Sequence, residues 1–158
     1  MDLLLTGVGG EIGSVVRSRF LKVVFVEPPS PWLVRPRAQA ALGPLYLATI
    51  LNEAGYSARI FHPVRPSSCE CLKDVDVVAF SGTTLEYPEV VRYAKWIKKH
   101  LPNVKIWYGG PHATALPAWW RPWCDSIGIG EADGYIKEAD NVVRMERYVE
   151  ATGKCNWG

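Results

Sequence analysis

Residues 22–29 read KVVFVEPP, an unbroken run of β-branched and aromatic residues that ends at an acid and two prolines. A strand with two apolar faces has to be covered on both of them, as the strands of parallel sheets are. Pro28 and Pro29 cannot continue a hydrogen-bonded ladder, so they end the strand sharply. This stretch therefore predicts a buried parallel strand, and the rest of the chain has to supply its neighbours.

Strand and helix patterns alternate along the rest of the chain. Further strands are predicted at residues 57–61, 76–80, 104–108 and 126–129. Strands that alternate with helices pair in parallel through right-handed crossovers. The pattern therefore predicts an α/β fold with a doubly wound, flavodoxin-like sheet of five parallel strands in the order 2-1-3-4-5. The connection that holds Cys69 and Cys71 has no clear pattern and is predicted to be irregular.

Two helices in the middle of the chain have clear start and stop signals. The first opens at Pro44 and stops at Gly55, with its core face at Leu47, Leu51 and Ala54. The second spans residues 87–101 and ends before Pro102, and its apolar positions recur at helical spacing. They are Val90, Ala94, Ile97 and Leu101. A terminal amphipathic helix is predicted over residues 136–150.

Composition narrows the class of protein. The chain has 158 residues, of which 48% are hydrophobic and 22% charged, as is typical of one soluble domain with a real core. A net charge of +2 gives no large field for a nucleic acid. The longest apolar stretch, residues 38–51, is interrupted and too short for a membrane span, and residues 1–10 lack the basic start of a signal peptide. We therefore expect a cytoplasmic protein with reduced cysteines and no nucleic-acid or membrane partner.

The loops after the predicted strands carry the candidate site. Ligands of open α/β sheets bind outside the carboxyl ends of the strands. There the chain places SGTT (residues 81–84), GGPHAT (109–114) and GIGE (128–131), which combine glycines with hydroxyls and other polar groups. Gly109 and Gly110 remove side chains where a ligand would touch the main chain, and Pro111 fixes the exit direction. Three such loops on neighbouring strands predict a cleft for a large ligand.

The series KVVFVEPP, GPLYLATILNEAG, DVDVVAFSGTTLEYPEVV, IWYGGPHATALP and SIGIGEAD resembles the cobalamin-binding domain at the amino end of many radical-SAM enzymes. The resemblance covers residues 22–134, so residues 1–21 would be an amino-terminal extension and residues 135–158 a helix and tail of the same domain. It implies a cobalamin at the carboxyl edge of the sheet and a radical-SAM or methyltransferase protein as partner. The binding residues that it implies are Ser81, Gly82, Thr83, Thr84, Gly109, Gly110, Pro111, His112, Thr114, Gly130 and Glu131.

Departures from the family pattern modify these expectations. Better-known cobalamin carriers bear DxHxxG after the first strand, whose His is a lower ligand of the cobalt, and this chain has no His between Lys22 and Phe61. We therefore expect base-off cobalamin without a His ligand from that loop. The chain also lacks the CxxxCxxC motif of a radical-SAM cluster, so we expect no catalysis by this chain alone, no catalytic residue and no protein metal site. The usual GEGE of the fifth-strand loop is here GEAD.

Two other functions remain open from the sequence. Gly7, Gly10 and Gly13 match the glycine pattern of an NAD(P)-binding Rossmann-like domain, with Glu27 at the distance of a ribose-binding acid. Alternatively, the chain is a non-enzymatic interaction module, in which the tryptophan-rich residues 119–123 contact a protein.

Individual aromatic and histidine residues also have two interpretations each. The tryptophans of residues 119–123 either pack against the sheet or form an exposed apolar surface. His112 is either a ligand contact or a structural residue of its own loop, whereas His62 and His100 are interpreted as structural or solvated. Trp32 lies in the first loop, where the corrin would lie if bound.

Overall fold

The core of the fold is a five-stranded parallel sheet. The computed structural model describes residues 21–35 and 41–130. Its strands are β1 Lys22–Val26, β2 Ser57–Phe61, β3 Val77–Ser81, β4 Lys105–Gly109 and β5 Ser126–Ile127. They lie in the order β2-β1-β3-β4-β5, and every neighbouring pair is parallel. The predicted doubly wound α/β fold and its strand order are therefore confirmed.

Helices connect the strands on both faces of the sheet. They are α1 Leu42–Glu53, α2 Tyr87–His100 and the short α3 Pro111–Ala115, with 3₁₀ helices at Pro66–Leu72 and Pro117–Trp119. Helix α1 begins two residues before Pro44, and Gly55 ends it with a positive φ of 89°. The connection before β3, predicted as irregular, is the 3₁₀ helix Pro66–Leu72. It buries Cys69 and Leu72, and burial raises the pKa of the Cys69 thiol to about 12.

Alternation along the strands divides the core into two layers. Val24, Val78 and Ile106 face α2 and the 3₁₀ helix Pro66–Leu72, whereas Val23, Phe25 and Val77 face α1. The predicted core face of α2 is buried as expected. On α1 the prediction for Ala54 was wrong, since Ala54 is exposed and the buried residues are Pro44, Ala48 and Leu51. Ala54 is the C-cap residue that follows α1, so it lies outside the helix whose face packs on the sheet.

Parallel pairing brings the ends of all five strands to one edge, which positions the candidate site. The strand order reverses between β1 and β3, which are neighbours in the sheet. Within residues 21–35 and 41–130, no helix is long and apolar enough to cross a membrane. The glycine pattern at residues 7–13, the terminal helix predicted at 136–150 and Glu131 lie outside the described residues.

Candidate functional site at the carboxyl edge of the sheet

The loop after β3 is held by hydrogen bonds within the protein. The backbone N–H and the hydroxyl of Thr83 both donate to the Glu86 carboxylate, three residues later, and the N–H does so at 2.7 Å. The carbonyl oxygen of Gly82 accepts from the Tyr108 hydroxyl at 3.2 Å and from the backbone N–H of His112 at 3.4 Å. These bonds within the protein fix residues 82–86 against β4 and α3 without the help of a ligand.

His112 lies inside the protein rather than at its surface. Its exposure is 1%, and its Nδ1 lies 2.9 Å from the hydroxyl oxygen of Thr84. Its Nε2 is buried and has no hydrogen-bond partner within the described structure. Burial lowers the pKa of His112 below its ordinary value, so the ring is neutral at pH 7. His112 can thus influence a ligand through Thr84, whose side chain is exposed at the edge.

Aromatic rings surround His112 and explain its burial. The ring centroid of Tyr87 lies 5.0 Å from that of His112, and those of Trp119 and Trp120 lie 5.8 Å away. Trp120 is fully buried and stacks on Tyr108, whereas Trp119 is 51% exposed. The two interpretations of the tryptophan segment therefore apply to different residues: Trp120 packs on the sheet, and Trp119 contributes exposed apolar surface.

The adjacent glycines at the end of β4 have different structural roles. Gly110 has φ +97° and ψ −172°, a conformation nearly restricted to glycine, and a Cβ there would lie 2.7 Å from Ser81 Oγ. The backbone itself therefore requires Gly110. A Cβ on Gly109 would meet only the carbonyl oxygen of Gly128, at an ordinary 3.8 Å. Gly109 is thus the position where a missing side chain leaves space.

Thr114 connects the loops after β4 and β5. Its hydroxyl donates to the Gly110 carbonyl at 3.0 Å and accepts from the Gly130 backbone N–H at 3.0 Å. Pro111 is exposed at the first position of α3. The structure thus brings the predicted residues of the β3, β4 and β5 loops together as one connected set, up to Gly130.

Sequence reasoning missed a carboxylate–imidazole pair at the same edge. Glu27 is the first residue after β1 and His62 the first after β2, and Nδ1 of His62 lies 3.2 Å from Oε2 of Glu27. The other oxygen, Oε1, is buried and has no hydrogen-bond partner among the described residues. Burial raises the pKa of the Glu27 carboxyl, and His62 lowers it by a smaller amount. Both residues directly follow a predicted strand, which was the signal available in the sequence.

Apolar side chains lie exposed in the loops after β1 and β3. The indole N–H of Trp32 donates to the Leu85 carbonyl at 3.1 Å, which joins the loop after β1 to the loop after β3. This bond crosses the point where the strand order reverses. Large exposed side chains in these two loops are Trp32, Leu33, Val34 and Leu85. Such a cluster marks a surface that a ligand or partner would cover.

Comparison with known proteins gives the family. A family model described as the B12 binding domain matches residues 39–140, well over half of the chain. The chain belongs to the B12-binding domain family. Membership supports cobalamin binding and favours neither the NAD(P)-binding alternative nor the interaction module. None of the curated proteins compared matches the chain.

Solved structures add information on the fold of this B12-binding domain. It is similar to a Burkholderia pseudomallei K96243 protein described as pilus assembly-related, with a TM-score of 0.53 and 14% identity. The match covers 80% of this chain and 90% of the other. At this identity the similarity shows a shared fold alone.

The residues at the carboxyl edge fit a corrinoid chemically. Cobalamin presents a wide, mostly apolar macrocycle with an amide-bearing rim. The exposed side chains of Trp32, Leu33 and Leu85 suit the macrocycle. The hydroxyl of Thr84, an exposed residue, and Oε1 of Glu27, which has no partner among the described residues, suit amide groups. Among the described residues no three His, Cys, Asp or Glu side chains cluster to hold a metal ion of their own.

Proposed function

We propose that this B12-binding domain holds a base-off cobalamin at the carboxyl edge of its sheet for a partner of the radical-SAM or methyl-transfer class. The observation that carries the proposal is a structural difference between the loops at that edge. Loops after β3, β4 and β5 are fixed by internal hydrogen bonds, while the loop after β1 leaves apolar side chains exposed beside them. A rigid rim next to an apolar surface is what a large preformed site needs.

The chain's own residues would bind and orient the cofactor. Bound cobalamin would supply the cobalt–carbon chemistry, and the protein would supply position and electrostatics. His112 would hold the Thr84 hydroxyl in place for the rim of the ligand, since its Nδ1 lies 2.9 Å from that oxygen. The apolar side chains of residues 32–34 and Leu85 would exclude water from the macrocycle. The loop after β1 contains no His, so it would not supply a ligand to the cobalt.

The proposed partner would carry the reactive chemistry. The sequence has no CxxxCxxC motif, so an iron–sulfur half of the radical-SAM type would come from elsewhere. The side chains described at the edge would then hold the cofactor without acting as nucleophiles themselves.

Titration of the purified apo protein with hydroxocobalamin tests the proposal. We expect stoichiometric uptake, followed by visible absorbance and by co-elution in gel filtration. Gly109→Leu should raise Kd about tenfold, because its side chain would enter the space that Gly109 leaves at the strand end. Ala54→Leu is the matched control, since Ala54 is exposed at the opposite edge of the sheet.

The possible results of the titration distinguish the proposed site from its absence. Uptake that Gly109→Leu weakens and Ala54→Leu leaves unchanged supports the proposed site. A folded protein that retains no corrinoid contradicts the function. Gly110 is unsuitable for this test, because its backbone conformation alone would penalise any side chain.

A further inference from the structure

Two hydrogen-bonding side chains adjoin the exposed apolar surface at the carboxyl edge. Glu27 directly follows β1, in the same loop as Trp32, and Thr84 directly precedes the exposed Leu85 in the loop after β3. The bond from the Trp32 indole to the Leu85 carbonyl joins these two loops. A ligand that covers the apolar surface therefore also has to match the hydrogen-bonding chemistry of these two side chains.

Glu27 offers a hydrogen-bond acceptor that lacks a donor from the protein. Its backbone N–H donates to the Phe61 carbonyl at 3.0 Å, and Nδ1 of His62 lies 3.2 Å from its Oε2. The other oxygen, Oε1, is buried and has no hydrogen-bond partner among the described residues. A buried carboxylate oxygen without a donor costs free energy, which an N–H of a ligand would recover. When it is ionised, a carboxylate can accept a hydrogen bond but cannot donate one.

Thr84 is limited to the same role by its neighbour His112. A hydroxyl has one proton to donate, and Nδ1 of His112 lies 2.9 Å from the Thr84 oxygen. Because burial lowers the pKa of His112, its ring is neutral at pH 7 and carries a single proton, on either Nδ1 or Nε2. The position of this proton decides whether the Thr84 hydroxyl donates to His112 or accepts from it.

The surroundings of Nε2 favour the tautomer with the proton on that nitrogen. Nε2 is buried and has no partner in the described part of the chain, and the His112 ring meets Trp119 and Trp120 in T-shaped pairs with centroids 5.8 Å away. The face of an indole is electron-rich, so an N–H interacts with it favourably and a nitrogen lone pair does not. Nδ1 then accepts, and the Thr84 hydroxyl donates its only proton to it. The Thr84 oxygen has only lone pairs left for a ligand.

Both side chains therefore require a hydrogen-bond donor on the ligand. A primary amide on the rim of a corrinoid has two N–H groups and meets this requirement. An ionised carboxylate at the same position of the rim has only acceptors, and it carries the same charge as Glu27. An acceptor that faces an acceptor leaves both without a partner, and two like charges at close range repel each other.

We propose that Glu27 and Thr84, the latter oriented by His112, select corrinoids whose rim amides are intact over corrinoids that carry a carboxylate in place of an amide. The inference rests on the proposed function and deepens it, because it names the class of corrinoid that the site takes. Glu27 and Thr84 contact the rim directly. His112 acts through Thr84 and is a positioning residue.

Binding of matched corrinoids to the complete chain tests the selection. The ligands are hydroxocobalamin and the monocarboxylic acids in which one rim propionamide has been hydrolysed. Kd values are measured by visible absorbance at pH 8, well above the ordinary pKa values of carboxyl groups. We expect at least one of the acids to bind at least about tenfold more weakly than hydroxocobalamin. Equal Kd values for all of these ligands would overturn the proposal, and this comparison needs no variant of the protein.

Glu27→Gln tests whether this side chain carries the selection. Glutamine keeps the size of glutamate, removes its charge and adds an N–H donor that a carboxylate can accept. The preference for the amide should therefore fall to less than about threefold. Glu53→Gln is the matched control, because Glu53 is exposed at the end of α1, at the opposite edge of the sheet, and this variant should keep the full preference. A preference that Glu27→Gln leaves unchanged would contradict the role of Glu27.

Nuclear magnetic resonance of the apo protein tests the positioning role of His112. In protein labelled with ¹⁵N-histidine, long-range ¹H–¹⁵N correlation shows which ring nitrogen carries the proton, and the His112→Asn spectrum identifies the signals of His112. We expect the proton on Nε2. A proton on Nδ1 would leave the Thr84 hydroxyl free to donate to a ligand, and it would contradict the positioning role.

A pair of substitutions tests the contact made by Thr84. Thr84→Val removes the oxygen at nearly constant size, so we expect the Kd of hydroxocobalamin to rise about fivefold. Thr84→Ser keeps the hydroxyl and should leave Kd unchanged. If the two variants bind hydroxocobalamin equally well, Thr84 does not contact the ligand.

Failure of this inference differs from failure of the proposed function. If the folded protein binds hydroxocobalamin and all of its acids equally, the selection fails and the domain remains a cobalamin carrier. If it retains no corrinoid at all, the proposed function fails, and the selection fails with it. The tautomer of His112 is measured without a corrinoid, so that result does not depend on binding.

Discussion

The two sides of the carboxyl edge use their polar residues differently. On the β3–β4 side, residues 82–86 and 110–116, most polar groups bind others within the protein: Gly82 with Tyr108, Thr83 with Glu86, and Thr84 with His112, whose Nε2 is buried without a partner among the described residues. On the β1–β2 side, residues 27–35 and 62–65, one oxygen of Glu27 has no partner within the described part of the chain, and most large apolar side chains are exposed. The side richer in motif residues is thus the more self-contained one, and the less conspicuous side offers more to a ligand.

The largest expected effect breaks the packing of the β3–β4 side. Trp120→Ala removes a fully buried indole that stacks on Tyr108, so we expect the free energy of unfolding to fall by about 3–5 kcal/mol. Trp119→Ala is the matched control, and it should cost about 1 kcal/mol because half of that indole is already exposed. Urea denaturation of the two variants measures both values. Equal costs would show that the β3–β4 side does not depend on the buried ring.

The next effect concerns the turn between β4 and α3. Gly110→Ala should cost about 2 kcal/mol, because φ +97° is strained for alanine and the new Cβ meets Ser81 Oγ. Gly109→Ala should change stability by no more than about 0.5 kcal/mol, because its Cβ has space. Urea denaturation compares the two variants.

A second substitution separates the two causes of strain at Gly110. Combining Gly110→Ala with Ser81→Gly removes the contact with Ser81 and leaves the backbone strain. The double variant should therefore recover part of the loss relative to Ser81→Gly alone. Full recovery would mean that the backbone conformation at position 110 costs nothing.

The sequence was sufficient for the sheet but not for the site. Runs such as KVVFV and VKIWY have the β-branched and aromatic composition that specifies buried strands, and α2 shows its core face by spacing alone. The 3₁₀ helix Pro66–Leu72 was not predicted from the sequence, because its residues follow no 3.6-residue period. The inward orientation of His112 depends on the rings of Tyr87 and Trp120, which come from other segments of the chain.

The Glu27–His62 pair was not predicted from the sequence for a related reason. Its residues lie 35 positions apart, by 62 − 27, and only the register of β1 with β2 brings them together. A search for histidine motifs within single loops cannot find a pair whose members follow different strands. Pairing of residues at equivalent strand ends would have found it once the strand order was predicted.

The smallest expected effect is a pH dependence of stability that comes from His112 on the β3–β4 side. Burial holds the pKa of His112 below 6.5, its value in the unfolded chain. Above pH 6.5 the ring is mainly neutral in both the folded and the unfolded state, so its burial makes the free energy of unfolding depend little on pH there. As the pH falls below 6.5 the unfolded chain binds a proton that the folded protein does not, so stability is lost as the pH falls. Between pH 7.5 and 5.5 the loss that His112 contributes is at most about 1.4 kcal/mol, the linkage limit for one group over the pH unit below 6.5.

His112→Asn isolates this contribution, because His62 and His100 are present in both proteins. The free energy of unfolding of each protein is measured in urea at both pH values, and the wild type should lose more of it than the variant, by up to about 1.4 kcal/mol. Asparagine keeps a polar group near the Thr84 hydroxyl, which limits other changes at the site. Parallel pH profiles would mean that His112 is solvated in the folded protein. The β3–β4 side would then be open to ligands in the same way as the β1–β2 side.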